Sequence, residues 1–335
     1  MSFEEQSLYP IKFKPRLKEM LWGGKALKTK YGKDVADGKK IGESWEISGV
    51  EGDKSIVSNG FLKGNDLEEI VEIYMGDLVG DQVYENFGTE FPLLVKLIDA
   101  NDVLSVQVHP GDTLAAERHH AWGKTEMWVV LEAADDALIY TGFRNRISKE
   151  EYLQCLEEKR VNSILNATRV KAGDVFFIPA GLVHAIGAGV ILAEIQQTSD
   201  ITYRIYDWDR KDANGKSRQL HIDLALDAID FNMTDSMLIR KEAVLNSTIE
   251  LKSCDYFSTC MIKLDHPIIK DYSLTDSFVI FMCIDSSVII ECFDKQENIN
   301  KGETVLIPAS AESVTLIPVG TASLLEIFIP NQKIN

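Results

Sequence analysis

The stretch Lys171-Ala-Gly-Asp-Val-Phe-Phe-Ile-Pro-Ala180 returns later in the chain as Asn300-Lys-Gly-Glu-Thr-Val-Leu-Ile-Pro-Ala309. Gly173 falls opposite Gly302, Asp174 opposite Glu303 and Pro179 opposite Pro308. A Gly-Asp/Glu turn, a short apolar strand and an Ile-Pro-Ala exit describe a hairpin crossing the wall of a β-barrel, and its recurrence predicts two related β units. The copies differ just beyond the turn, where His184 of the first lies opposite Ser313 of the second. The first unit is therefore expected to carry chemistry and the second to be structural, with a division at 1–240 and 241–335.

The rest of the chain agrees with a mainly β fold. Phe91–Ile98, Ala137–Tyr140, Val190–Ile195 and Phe278–Ile284 are short β-branched or aromatic runs bounded by Gly, Pro, Asp or Asn. Helices read as insertions. The apolar stripe Leu67, Ile70, Val71, Tyr74, Leu78 predicts one between Asn65 and Phe87, broken at Gly76 or Gly80. Ser148 with Glu151 is a capping box opening Lys149–Leu165, and Leu220–Ile229 is a third candidate. Residues 209–216 read as a polar loop.

The 335 residues suit two packed units. With 35 basic and 52 acidic residues the net charge is −17, which repels nucleic acid and anionic membranes. A phosphorylated small substrate stays possible if local cations or a metal receive it. No apolar run approaches the roughly 20 residues of a membrane span. Met1–Gln6 lacks the pattern of a signal peptide. Five cysteines without CxxC spacing predict reduced thiols and a cytoplasmic location. Composition specifies no oligomeric state.

Three segments carry candidate chemistry. In Val106-Gln-Val-His-Pro110, Gln107 and His109 lie two apart and so share one side of a strand. In Lys124-Thr-Glu-Met-Trp128, Lys124, Glu126 and Trp128 alternate onto one face. His184 follows the Ile-Pro-Ala-Gly turn. Two imidazoles, one carboxylate and one amide oxygen make a ligand set for a divalent cation, suiting Zn²⁺ and tolerating Fe²⁺, Mn²⁺, Co²⁺ or Ni²⁺. A lone buried histidine bonded to a carbonyl is a commoner arrangement than a ligand; His119 and His120 lie in a stretch resembling a surface helix, His221 and His266 have no evident partners, and all four are read as structural. Arg204, among Tyr203, Tyr206 and Trp208, is either an ion-pair partner, for instance of Asp207, or an anion clamp.

Taken together, Gln107-Val-His109-Pro110, Gly123-Lys-Thr-Glu126-Met-Trp128, Ile178-Pro-Ala-Gly-Leu-Val-His184-Ala185 and Thr202-Tyr-Arg204-Ile-Tyr-Asp-Trp208 resemble type I mannose-6-phosphate isomerases. The likeness is to the short bacterial form without a large helical domain. Leu21-Trp-Gly-Gly24, Gly42-Glu-Ser-Trp-Glu-Ile-Ser48 and Leu220-His-Ile222 extend it. It spans about Phe13 to Ile229 and is weaker beyond; His119-His120 departs from it beside the site.

The resemblance implies two cupin (double-stranded β-helix, or jelly-roll) units with short helical insertions and one catalytic zinc. It assigns the metal to His109, Glu126 and His184 with Gln107 as an additional ligand, and gives Arg204 as the active-site arginine. It also places Lys124 against substrate and Glu194 as a carboxylate near the site. The implied reaction interconverts mannose 6-phosphate and fructose 6-phosphate through a cis-enediol. On that reading Glu194 is the expected base, Lys124 orients a sugar hydroxyl, and the phosphate meets Arg204 or a basic loop, with Lys12, Lys14 and Arg16 conceivable. Two histidines and a carboxylate also describe Fe²⁺ oxygenases, and a sugar-binding cupin without catalysis is the reading from another class.

Overall fold

The computed structural model describes residues 7–211 and 214–331. Met1–Gln6 and two residues of the predicted polar loop lie outside the described residues. The chain is mainly β, in cupin-type units with short helices inserted. Residues 16–239 build two facing sheets, beside a small two-stranded pair of Phe13–Lys14 with Ile56–Val57. The larger runs in the order Leu238–Ile239, Val175–Ile178, Glu126–Ala133, Val190–Gln197, Leu93–Ala100, Ile41–Ser48, Arg16–Gly24. The smaller runs Tyr203–Tyr206, Val106–Val108, His184–Ile186, Leu138–Phe143, Leu165–Arg169. Residues 247–328 form a separate seven-stranded sheet around Val279–Cys292 and Ser313–Phe328.

Strand parity explains both the core and the site. On Leu93–Ala100, Glu126–Ala133 and Val190–Gln197, the odd-numbered Leu93, Val95, Leu97, Met127, Val129, Ile191, Ala193 and Ile195 join a cluster shared with Ile280, Leu306 and Ile327 of the second unit. The even-numbered Ile98, Trp128, Val130 and Leu192 pack against Ile139 and Ile186 of the smaller sheet. Successive side chains point to opposite faces, so these strands are buried on both sides and read as continuous apolar runs. Even parity also sends Lys96, Glu126 and Glu194 into the space between the sheets.

The internal repeat holds in three dimensions. Gly173 (φ +89°) and Gly302 (φ +86°) both take the left-handed conformation that glycine adopts without steric cost. The acids that follow grip the same turn, Asp174 accepting from Lys171 N at 3.1 Å and Glu303 from Asn300 N at 2.8 Å. Val175–Ile178 and Thr304–Ile307 are the two strands, and the next strands begin at His184 and Ser313.

The helices are shorter than the sequence predicts. The first ends at Val79, kinked at Met75, and a second begins at Asp81 beyond Gly80. The Ser148–Glu151 capping box is present, but its helix stops at Glu157 and a single turn, Val161–Ile164, follows. The third helix is Ile222–Ala228.

Candidate metal centre and sugar-phosphate site

His109, Glu126 and His184 converge between the two sheets of the first unit, their ligand atoms all within 4.8 Å of one another. Register brings them there. His184 is paired with Gln107 within the smaller sheet, His109 ends the strand that carries Gln107, and Glu126 opens a central strand of the larger sheet. His109 Nε2 lies 3.6 Å from one Glu126 oxygen and His184 Nε2 3.5 Å from the other. All three side chains are at most 1% exposed.

The outer nitrogens fix the tautomers. His109 Nδ1 is 2.9 Å from Ile201 O and His184 Nδ1 is 2.8 Å from Leu182 O. A carbonyl only accepts, so each Nδ1 carries hydrogen and each Nε2 turns a lone pair inward. His109 Nε2 and both Glu126 oxygens have no hydrogen-bond partner although fully buried. Burial holds the imidazoles neutral, pushing His184 down to about 4 and His109 well below the ordinary histidine range. Burial also raises Glu126, helped by Glu194 and opposed by Lys124. An inward lone pair on His109 and a buried carboxylate approached only by Lys124, at 3.1 Å from one oxygen, would be a costly arrangement by themselves. A divalent cation satisfies both, so the residues fit a metal.

Gln107 Nε2 is 3.2 Å from His184 Nε2. In this tautomer the Gln107 amide N–H donates to the His184 Nε2 lone pair, and only with the amide turned over would Oε1 face the ligand cluster.

Beside the cluster opens a cavity of about 270 Å³ whose walls include Gln107, Lys96, Lys124, Glu194, Arg204 and Arg218. Lys124 Nζ is 3.1 Å from Glu126. Lys96 Nζ donates to Glu194 Oε1 at 2.9 Å, and Trp128 Nε1 donates to Glu194 Oε2 at 2.9 Å. Burial would raise Glu194, but Lys96 and Lys124 outweigh it and hold its carboxyl well below the ordinary range.

Arg204 is cross-strand partner to Gln107, and its Nη1 donates to Gln219 O at 3.0 Å. Its buried Nε has no hydrogen-bond partner among the described residues. Asp207 is taken instead by Arg210 and Arg218, at 2.6 and 2.7 Å. Of the two readings of Arg204, the geometry fits a guanidinium free to receive an anion. His221 holds its backbone, Arg204 N donating to His221 Nδ1 at 3.1 Å.

Sequence reasoning had brought out all seven of these side chains as site candidates, and the fold gathers them at one place. Sequence reasoning misses Lys96, Glu43 and Arg218, which also line the cavity, Glu43 lying 3.9 Å from Lys96. Lys96 could have been found as the single charge in Leu93-Leu-Val-Lys-Leu-Ile98, and Glu43 stands in a motif already quoted; Arg218, in a polar loop, carried no signal. Lys12 is paired with Glu303 and Arg16 with Asp53, so neither lines the cavity.

The chain is similar to known proteins over most of its length. The family described as phosphomannose isomerase type I, catalytic domain, matches residues 11–129. Mannose-6-phosphate isomerase ManA of Bacillus subtilis is 39% identical over 255 residues, covering 74% of this chain and 78% of that protein. Mannose-6-phosphate isomerase of Streptococcus mutans is 40% identical over 220 residues, covering 66% and 67%. The crystal structure of the mannose 6-phosphate isomerase from Bacillus subtilis superposes with a TM-score of 0.83 at 31% identity, over 96% of this chain and 99% of that one. Such identity, sustained over most of both chains, means that this chain belongs to the type I phosphomannose isomerase family.

Proposed function

We propose that the protein interconverts mannose 6-phosphate and fructose 6-phosphate in the cavity between the sheets of its first unit, with one Zn²⁺ held by His109, Glu126, His184 and Gln107. The observation that carries this reading is the set of buried, inward-facing donor atoms without partners, next to a cavity lined by lysines and arginines. Nitrogen and oxygen donors of this kind suit zinc. When bound, the ion supplies positive charge for an oxygen that becomes anionic in the reaction.

The protein's own groups do the rest. Arg204, with an unpartnered Nε and no carboxylate partner, receives anionic charge, while Arg218 on the same cavity wall is held on both Asp207 oxygens and lends only its residual field. These cations answer the requirement set by a net charge of −17. Lys124, anchored on Glu126, orients a sugar hydroxyl. Moving hydrogen between C1 and C2 requires a base, and Glu194 is the buried carboxylate assigned to it. Its oxygens accept from Lys96 and Trp128, which hold it ionised and weakly basic. A sugar oxygen that takes over the Lys96 ammonium would release it and raise its basicity toward working pH.

The second unit, residues 241–335, contains no comparable His/Cys/Asp/Glu cluster among its described residues, which suits a supporting role. All five cysteines are free thiols, as a cytoplasmic enzyme would keep them. Among the described residues no helix is long and apolar enough to cross a membrane.

The test is turnover of mannose 6-phosphate by the purified protein before chelation, after chelation and after zinc restoration. Activity that disappears and returns supports the proposal; activity unchanged by thorough chelation contradicts the metal assignment.

A further inference from the structure

The segment Gly123–Thr125, which delivers Lys124 and Glu126 to the site, precedes its strand and meets the sheet ladder at its end, where Thr125 O accepts from Gln197 N at 3.2 Å. Its three amides are satisfied in another way. Gly123 N donates to Asp112 Oδ1 at 2.9 Å, Lys124 N to Pro110 O at 3.1 Å, and Thr125 N to Gln197 Oε1 at 2.8 Å. Gln197 Nε2 then donates to Asp112 Oδ1 at 2.9 Å. Asp112 is thus the knot that ties together the two ends of the insertion between His109 and Glu126. The fit is close: a Cβ on Gly123 would lie 2.5 Å from Asp112 N.

The other oxygen of Asp112 is held from outside this unit. Tyr256, in the hairpin turn between Ser247–Ser253 and Ser258–Leu264 of the second unit, donates its hydroxyl to Asp112 Oδ2 at 2.6 Å. The turn is rigid. Cys254 N donates to Phe257 O at 3.0 Å, and Phe257 is fully buried in the core that both units share. Phe257 fixes the turn and Tyr256 projects from it.

We propose that Tyr256 is a positioning residue for the isomerase site. Through Asp112 and Gln197, the second unit sets where Lys124 and Glu126 stand. The inference rests on the isomerase reading above and gives the second unit a part in the reaction other than holding ligands. A short hydrogen bond to a carboxylate is among the stronger kinds. A partner one or two contacts behind a metal ligand can change affinity or activity by about ten- to a hundredfold, and small displacements of a positioned group cost rate more than binding.

The experiment is Tyr256→Phe in the full-length zinc enzyme, which removes one hydroxyl and keeps the ring. The expected result is a kcat lower by about tenfold with KM changed less than about twofold. Zinc affinity, measured against a competing chelator, should fall severalfold, and amide exchange at Gly123 and Thr125 should quicken. In an Asp112→Asn background the same substitution should add little. Wild-type kcat and zinc affinity in Tyr256→Phe would overturn the proposal, even if thermal stability dropped. So would an undiminished effect in the Asp112→Asn background, because Tyr256 would then act by some other route. Zinc affinity and amide exchange need no sugar substrate, so a wild-type protein that fails to turn over mannose 6-phosphate would count against the isomerase reading and leave this test intact.

Discussion

Arg204 shows how a single residue's role is decided by what surrounds it. Asp207, three positions on, was one possible partner, but Arg210 and Arg218 occupy it. Arg204 is left with one carbonyl contact and a buried Nε without a partner. Arg204→Ala should therefore lower kcat by at least about a hundredfold while leaving zinc content unchanged, as loss of a transition-state charge contact does. Metal analysis beside steady-state kinetics checks both halves, and near-normal turnover would remove the assigned role. Glu194 supports a second prediction. Its folded pKa is depressed below the ordinary 4.5, so its ionised form stabilises the fold. That contribution is complete above pH 4.5 and is lost as pH falls through the depressed value. In Glu194→Gln apoprotein, the acid-side fall in stability below about pH 4.5 should flatten. If Glu194 is the base, this variant should also stop solvent exchange of the C2 hydrogen, whereas persistent exchange would transfer the proton to another group.

At the scale of elements, period and punctuation made much of the fold legible. The repeated Gly-Asp/Glu turn with Ile-Pro-Ala foretold two matching strand pairs, and the observed strands Val175–Ile178 and Thr304–Ile307 align as the repeat requires. The capping box at Ser148 gave a helix start to the residue, while the helix ends, set by tertiary packing, came out shorter than expected. The candidate site was legible where ligand types alternate along a strand, as at Gln107 and His109 or Lys124 and Glu126. Lys96 was obscured because its strand is apolar on both faces, and only the three-dimensional parity of that strand shows which face carries charge. The Tyr256–Asp112 contact joins residues 144 positions apart, a pairing that no local pattern encodes. The two turn glycines offer a test at this scale. Gly173→Ala meets no neighbouring atom, so its cost should be conformational alone, about 1–2 kcal/mol by urea denaturation. Gly302→Ala carries the same φ cost and also presses on Tyr31 at 3.0 Å, so it should lose more. Equal losses would mean that Tyr31 yields freely.

As a whole molecule, the protein is two β units with a shared core, in which one larger sheet serves two purposes. Its odd-numbered face binds the second unit and its even-numbered face builds the site. Buried contacts reinforce the junction. Lys33 donates to Glu46 at 2.7 Å and to Gly302 O at 2.6 Å, and Ile11 bridges to Leu306. The candidate site is thereby backed by the packed junction, and its proposed chemistry depends on three side chains from separate strands or strand ends meeting at one ion. The most direct measurement is zinc X-ray absorption on protein reconstituted with one equivalent of Zn²⁺, compared with His184→Ala. The account predicts a single tightly bound zinc with two imidazole nitrogens at about 2.0 Å and oxygen ligands, and loss of stoichiometric zinc from the variant. A zinc spectrum without imidazole, or full zinc retention by His184→Ala, would contradict it.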